Sequence, residues 1–487
     1  MSLLIHPLNY HHDSAQLFEC MAHQSWAMLL DSGQMLNAAT NKPGSQYGRY
    51  DIMVAEPFIT LVTTGDETEI TQQNKVLVSN ENPFDCLNNI LSQYKAAPSQ
   101  FPFTGGALGY FGYDLGRRLE KLPSIAIDDT QLPAMMIGIY DWAIVVDHRE
   151  KTCHLVSNCF CATTKANWVA MCRRFDEQYK AEVSESTFSE NSFIVQSPVQ
   201  SNLPEPQYKQ AFAKIKAYIS AGDCYQVNLA QRFAANVQGD GWQMYKKLRE
   251  ISPAPFMAFM QLPFKHLEIK HHEIKHHENF QVLSNSPERF LQTNGTHVET
   301  RPIKGTRPRS ANKAQDLAYS NELLTSAKDK AENVMIVDLL RNDLSKSCEI
   351  GSVKVNKLFQ LQSFANVHHM VSIIVGKLKS NKTALDVLRD CFPGGSITGA
   401  PKLRAMQIIE ELEPHRRGIY CGAIGYIGFD GNMDTNIAIR TATICKKLLS
   451  FYAGGGIVAD SDASKEYAET LDKASSFTTI TKLFTRL

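Results

Sequence analysis

The chain offers an amine, several carboxylates and a forked cation in settings that could support chemistry on a small anion. Lys304 lies in Thr300-Arg301-Pro302-Ile303-Lys304-Gly305-Thr306. There a desolvated amine would be a nucleophile, and a solvated one only a surface charge. Glu288, in Ser286-Pro287-Glu288-Arg289-Phe290, is a candidate general acid and base. In a closed pocket its pKa would rise toward neutrality, letting it give and take a proton; a turn-edge carboxylate paired with Arg289 would do neither. Arg440 follows Ile437-Ala438-Ile439 and reads as a strand residue. A guanidinium among apolar neighbours is costly unless paired, and its planar fork suits a carboxylate, with Tyr426 as a second donor. The runs Gly394-Gly395 and Gly454-Gly455-Gly456 bare the backbone. They could present N–H groups to an anion as a nest, joined by the hydroxyls of Ser396 and Thr398, or simply be turns. Neither run has the spacing of a nucleotide-binding loop.

These residues need elements to hold them. Glu332 to Leu340 has helical spacing that puts Glu332, Met335, Ile336 and Leu339 on one face, so an acid shares an apolar stripe and needs a partner. Lys473 follows Glu469 by one helical turn, where it can pair with that acid or reach an anion. His369, in Val367-His368-His369-Met370, fits a core or a site equally. A β-rich region is expected over 15–160, including the apolar run Ile137 to Val146 that ends in the polar turn Asp147 to Glu150. Ser184 to Pro204 is the linker candidate, and a second region spans 205–483. It opens with a helix over Pro206 to Ser220, with Phe212, Ile215 and Ile219 on one stripe and Gly222 as the stop, then a strand over Cys224 to Leu229. Strands and helices without βαβ alternation predict an α+β fold.

Composition bounds the function. The chain has 487 residues, with 50 Lys and Arg against 50 Asp and Glu, so no global field favours nucleic acid or an anionic membrane. No apolar run approaches a membrane span and no secretory signal is visible, so a cytoplasmic enzyme is expected. Eleven scattered cysteines suit reduced thiols; Cys159 and Cys161 lack zinc spacing. A direct repeat, Glu268-Ile269-Lys270-His271-His272 then Glu273-Ile274-Lys275-His276-His277, reads as an exposed hairpin tip.

The Lys304 segment and four further blocks resemble the chorismate-utilising enzymes. The blocks are Ser286 to Phe290, Ala331 to Asp343, Phe392 to Lys402 (Phe-Pro-Gly-Gly-Ser-Ile-Thr-Gly-Ala-Pro-Lys) and Ala453 to Val458 (Ala-Gly-Gly-Gly-Ile-Val). The resemblance is densest from about Tyr208 onward. It implies two large antiparallel sheets stacked as a sandwich with helices outside. It also implies Mg2+ on Glu332 and Glu469, and chorismate held by Gly395, Ser396, Thr398, Tyr426, Arg440, Gly455, Gly456 and Lys473. Glu288 is implied as acid and base, and His369 lies near the ring. Anthranilate and isochorismate synthases of this family usually carry alanine where Lys304 stands. A lysine there implies a covalent amine at C2 and delivery of ammonia to C4. Isochorismate synthases use a lysine base at the position of Gln226, and glutamine cannot be that base. Leu29-Leu30-Asp31-Ser32 and Ser252 to Met257 resemble a tryptophan pocket, with Leu30, Ser32, Pro255 and Met257 as its lining. No Gly-x-Cys-x-Gly glutaminase elbow is present, so the resemblance implies ammonia from a separate glutamine amidotransferase subunit.

Overall fold

The computed structural model describes residues 3–34, 36–37, 42–43, 48–180, 193–264, 278–364 and 367–485. Two large sheets carry the fold, one of 13 strands and one of 12. Every strand pairing in them is antiparallel, as expected for the α+β class. Both sheets mix early and late segments. In the larger, Ala27–Asp31 pairs with Phe256–Phe264, setting Leu30 opposite Ala258 and Asp31 opposite Met257. In the smaller, Gly106–Phe111 pairs with Ala423–Gly428. The sheets face one another through a dry layer that includes Met28, Val54, Tyr110, Tyr140, Met260 and Val282. Ala162–Lys180, Gly241–Ile251 and Ala463–Leu483 cover the outer face of the larger sheet. Pro83–Leu91, Ala327–Ser347 and Ala384–Cys391 cover the smaller.

Local signals set most elements. The helix Glu205–Ser220 has a proline in its first turn, buries Tyr208, Phe212 and Ile215, and stops before Gly222 at φ 83°. The Glu332 helix is longer than its apolar spacing suggested, running Ala327–Ser347, because Ser326 caps it by accepting the Asp329 N–H at 3.2 Å. The strand expected over Cys224 to Leu229 runs Gln226–Gly239, drawn out by pairing with Leu448–Ile457 along most of its length. The apolar run Ile137 to Val146 belongs to two strands, not one. Met135–Tyr140 lies in the smaller sheet and Trp142–Asp147 in the larger, the chain crossing at Asp141, whose carboxylate accepts the N–H groups of Phe160 and Cys161. Of the linker candidate, residues 184–192 lie outside the described residues, while Phe193–Val195 and Gln200–Ser201 pair with Gln226–Gly239. The Glu-Ile-Lys-His-His repeat also lies outside them. Among the described residues no helix is long and apolar enough to cross a membrane.

One buried ion pair ties three of these pieces together. Arg417 donates to both carboxylate oxygens of Glu413, at 2.9 and 2.7 Å, and to the carbonyls of Ile397 at 3.0 Å and Asn228 at 3.1 Å. Glu413 in turn accepts the Ala230 N–H at 2.9 Å. Glu413→Ala, which strands the guanidinium, should lower unfolding free energy by about 3–5 kcal/mol in urea titration. A loss under about 1 kcal/mol would show that the pair is not holding these segments.

Candidate active site

The chain passes between the two sheets at Ser286–Arg289 and again at Ile437–Thr441, and these crossings lie side by side. The Ser286 hydroxyl donates to the Ile437 carbonyl at 2.6 Å, the Ile437 N–H donates to the Glu288 carbonyl at 3.0 Å, and the Asn285 N–H to that of Arg440 at 3.0 Å. Glu288 is thereby fixed where neither sheet's ladder claims it. It is 6% exposed. Burial pushes its carboxyl up to about 7, against the pull of Lys304 and of donors from the Ile303 N–H and the Ser396 hydroxyl.

Lys304 lies on Ile303–Pro308, where the register against Val367–Lys377 slips between Ile303 and Thr306. The irregularity removes Lys304 and Gly305 from the ladder and re-aims the lysine side chain. Gly305 has φ 84°, and a Cβ there would lie 2.7 Å from Leu323. Loss of water around the amine, with Lys473 alongside, holds Lys304 below the usual lysine range, while Glu332, Glu288 and Glu469 oppose that shift.

Glu332 and Glu469 come from two different helices, and the charge of each acts on the Lys304 amine. Burial raises the Glu332 carboxyl. Burial also pushes Glu469 upward, but its hydrogen-bonded ion pair with Lys473, at 2.7 Å, brings it net below the ordinary range. Lys473 also donates to the Gly454 carbonyl at 3.0 Å. Sequence reasoning missed two groups here. Glu466, one turn before Glu469 and buried, accepts from Ser461 at 2.6 Å, and burial raises its carboxyl. Lys328, one turn before Glu332, reaches toward Glu332 at 3.7 Å and Glu466 at 3.9 Å. Both were legible as same-face helical neighbours of acids already singled out. A lysine shared by two acids marks a place where a cation is favoured. Hard carboxylate oxygens there fit Mg2+, with Glu332 and Glu469 as the residues that would hold it. Among the described residues no three or more His, Cys, Asp or Glu are grouped so as to hold a metal ion by themselves.

The glycine runs work differently from a nest. Gly454, Gly455 and Gly456 lie inside the strand Leu448–Ile457, opposite Ala230, Leu229 and Asn228. Their bareness admits the facing helix: a Cβ on Gly455 would lie 3.1 Å from Glu466 and 3.7 Å from Glu469. Gly395 opens a 3-10 turn over Gly395–Ile397, and a Cβ on it would come within 2.5 Å of Leu339 on the Glu332 helix. Lys402, which opens the helix Lys402–Leu412, ties that helix to the Glu332 helix by donating to Asp343 at 2.7 Å. Of the two hydroxyls, Ser396 reaches Glu288, whereas Thr398 turns inward onto the carbonyls of Gly394 and Gly395 at 3.0 and 3.4 Å.

Arg440 is not in a strand. It follows Met433–Ile437 with φ 48°, and among the described residues no carboxylate pairs with it, which leaves a forked donor for an anion. His369 is buried beside it. Burial, then Arg440, holds the imidazole down to about 3, so it is neutral, with Nδ1 at 2.9 Å from the Thr306 hydroxyl. Gln226 is buried with its Oε1 unpartnered among the described residues.

Tyr426 lies elsewhere. It lines a separate cavity of about 410 Å³ together with Leu30, Ser32, Pro255 and Met257. Strand alternation explains the separation. Glu288 turns to the cleft, while Arg289 turns to this cavity and donates to Asp434 at 2.9 and 2.8 Å. Ser32 is held by Asp51, which accepts both its N–H and its hydroxyl at 2.7 Å.

A buried acid, a buried lysine and carboxylates from two helices, gathered on a two-sheet scaffold, have the make-up of an enzyme site. The chain belongs to the chorismate binding enzyme family, whose profile matches residues 40–479. It is 45% identical over 470 residues to aminodeoxychorismate synthase component 1 of Escherichia coli strain K12, covering 96% of each chain. Anthranilate synthase component I of Streptococcus pneumoniae superposes with a TM-score of 0.72 at 29% identity, over 89% of this chain and 93% of that one. The menaquinone-specific isochorismate synthase of E. coli shares the fold, with a TM-score of 0.72 at 15% identity over 99% of this chain and 94% of that one.

The Glu288 environment has a stability consequence. Its carboxyl keeps its proton up to about 7 when folded but only to the ordinary 4.5 when unfolded. Between those values the native state binds more protons, so this group's contribution falls as pH rises through the window. Relative to Glu288→Gln, the wild type should therefore lose on the order of 3 kcal/mol between about pH 4.5 and 7, and no more above. A pH-independent difference in Tm between the two proteins would refute the raised carboxyl.

Proposed function

We propose that this chain converts chorismate and ammonia to 4-amino-4-deoxychorismate, with Lys304 as a covalent nucleophile. The observation that carries this is Lys304 itself: an amine depressed by burial, out of the ladder, with Glu288 beside it. The 45% identity to aminodeoxychorismate synthase component 1 supports the same reaction. The neutral amine adds to C2 of chorismate, both ring double bonds shift by one position toward C4, and the C4–O bond breaks. Glu288 gives its proton to that oxygen, which leaves as water. Ammonia then attacks C4, both double bonds shift back, and the C2–N bond to Lys304 breaks; Glu288 takes a proton from the incoming nitrogen. Arg440 holds the enolpyruvyl carboxylate, with Ser396 fixing Glu288. Mg2+ held by Glu332 and Glu469 would neutralise the ring carboxylate. The lack of a Gly-x-Cys-x-Gly elbow in the sequence and the relative's designation as a component support a separate glutamine amidotransferase subunit. The Leu30–Ser32–Pro255–Met257 cavity is proposed to take tryptophan, a reading that titration with and without turnover would test.

Chorismate, Mg2+ and ammonium should give 4-amino-4-deoxychorismate by mass and ultraviolet spectrum. Chelator should stop turnover reversibly, and glutamine alone should give none. Anthranilate as the main product would overturn the assignment.

Denaturing mass spectrometry without ammonia should show chorismate minus water on the Lys304 peptide. Lys304→Ala should lose the adduct and slow amination by up to several orders of magnitude, with some flux diverted to C2. An adduct that persists in Lys304→Ala would remove the nucleophile role.

A further inference from the structure

The slip that takes Lys304 out of the ladder also takes away its cross-strand support. Pairing resumes at Thr306, opposite His369, and Arg307, opposite His368. At Arg307 the segment is tied to something other than its own sheet. The Nε of Arg307 donates to Glu322 at 2.8 Å, one Nη to Asp329 at 3.1 Å, and the other Nη to the Thr306 carbonyl at 3.0 Å. Glu322 lies on the helix Lys313–Thr325 and Asp329 in the first turn of Ala327–Ser347, so one guanidinium spans the break between two helices. The third bond sets that planar group against the backbone of its own segment.

The two acids do unequal work. The Glu322 side chain is 59% exposed and that of Asp329 only 18%. An exposed ion pair is screened and adds little, whereas a shielded one keeps its strength. Asp329 is itself placed by Ser326, whose hydroxyl accepts its N–H. The backbone beside Lys304 rests on the same residue: a Cβ on Gly305 would lie 3.1 Å from Cγ and 3.2 Å from Cβ of Asp329. Glu332 follows Asp329 by three residues, as its neighbour on the helix surface, and its charge acts on the Lys304 amine.

We propose that Arg307 is a positioning residue for the reaction: by gripping Asp329 it fixes the slipped segment against the Glu332 helix, and so sets where the Lys304 amine stands. This rests on the reading of Lys304 as the nucleophile. Without the grip, the bond from Thr306 to His369 at 2.9 Å is left to hold the downstream side of the slip. A misplacement of about 1 Å at a reacting group costs on the order of 100-fold in rate. Arg440 and Ser396, proposed to act around the substrate, lie on other segments. The loss therefore falls on the chemical step and not on chorismate binding.

Arg307→Met tests this. With chorismate and Mg2+ but no ammonia, it should form the Lys304 adduct roughly 10- to 100-fold more slowly at saturating chorismate, while KM for chorismate in amination stays within about twofold. Asp329→Asn should be similarly slow, and the double variant no slower than either, since all three lose one contact. Arg307→Lys keeps the charge without the fork and should regain only part of the rate. Backbone hydrogen exchange should quicken over residues 303–308 in Arg307→Met and stay unchanged around Arg417, which shows that the variant is folded. Unchanged exchange over 303–308, an unchanged adduct rate, additive losses in the double variant or full recovery in Arg307→Lys would each overturn the proposal. A wild type that forms no adduct would instead remove the covalent reading of Lys304, and kcat for amination in the same four proteins would then decide whether Arg307 positions the segment.

Discussion

Arg417 and Glu413 are almost fully withdrawn from water, and either alone would be a severe defect there. Together they form a hub whose remaining hydrogen bonds reach outward. The Arg417 contact to the Ile397 carbonyl fixes the short turn next to Ser396, whose hydroxyl reaches Glu288. Its contact to Asn228 and the Ala230–Glu413 bond fix the long strand against which the glycine strand is laid. That strand admits the helix bearing Glu466 and Glu469. Glu288 and the helix that carries Glu466 and Glu469 thus share a single buried anchor.

Charge in the cleft is arranged by withdrawal from solvent more than by pairing. Glu288, Glu332 and Glu466 are raised by burial, Lys304 is lowered by it, and Arg440 lacks a carboxylate partner among the described residues. Such a site is electrostatically unfinished. A dianion and a hard cation, such as the proposed substrate and Mg2+, would complete it. Stability is spent on poise here, and the surrounding ladders, the Lys402–Asp343 pair and the Arg417 hub compensate.

How much of this was legible depended on the range of the determining contact. The helices around Phe212 and Glu332 were readable because their apolar periodicity, caps and stops are local. Lys304, Glu288, Glu332, Glu469 and Lys473 were singled out by their motifs, and the structure brings them near enough for their charges to act on one another. The nest at Gly454–Gly456 was misread because three glycines look like a turn unless the paired strand, more than two hundred residues earlier in sequence, is known. Tyr426 was placed in the wrong cavity because strand alternation decides which side of the sheet it meets, and that requires the register. Arg440 looked like a continuation of Ile437, but the backbone turns to a positive φ where the chain changes sheets. No local signal marks such a crossing.

The register slip at Ile303–Thr306 also bears on how one scaffold can be put to several uses. A side chain inside a ladder is constrained by cross-strand neighbours on both sides, so replacing it disturbs packing as well as chemistry. Position 304 has no such neighbours in register. A change of side chain there leaves the cross-strand pairs of the ladder as they are, while the group presented to the cleft is replaced. Selection acting on such a position explores reactions without first having to solve a stability problem. The architecture shared with an isochorismate synthase at 15% identity is what such a separation between holding and reacting would permit.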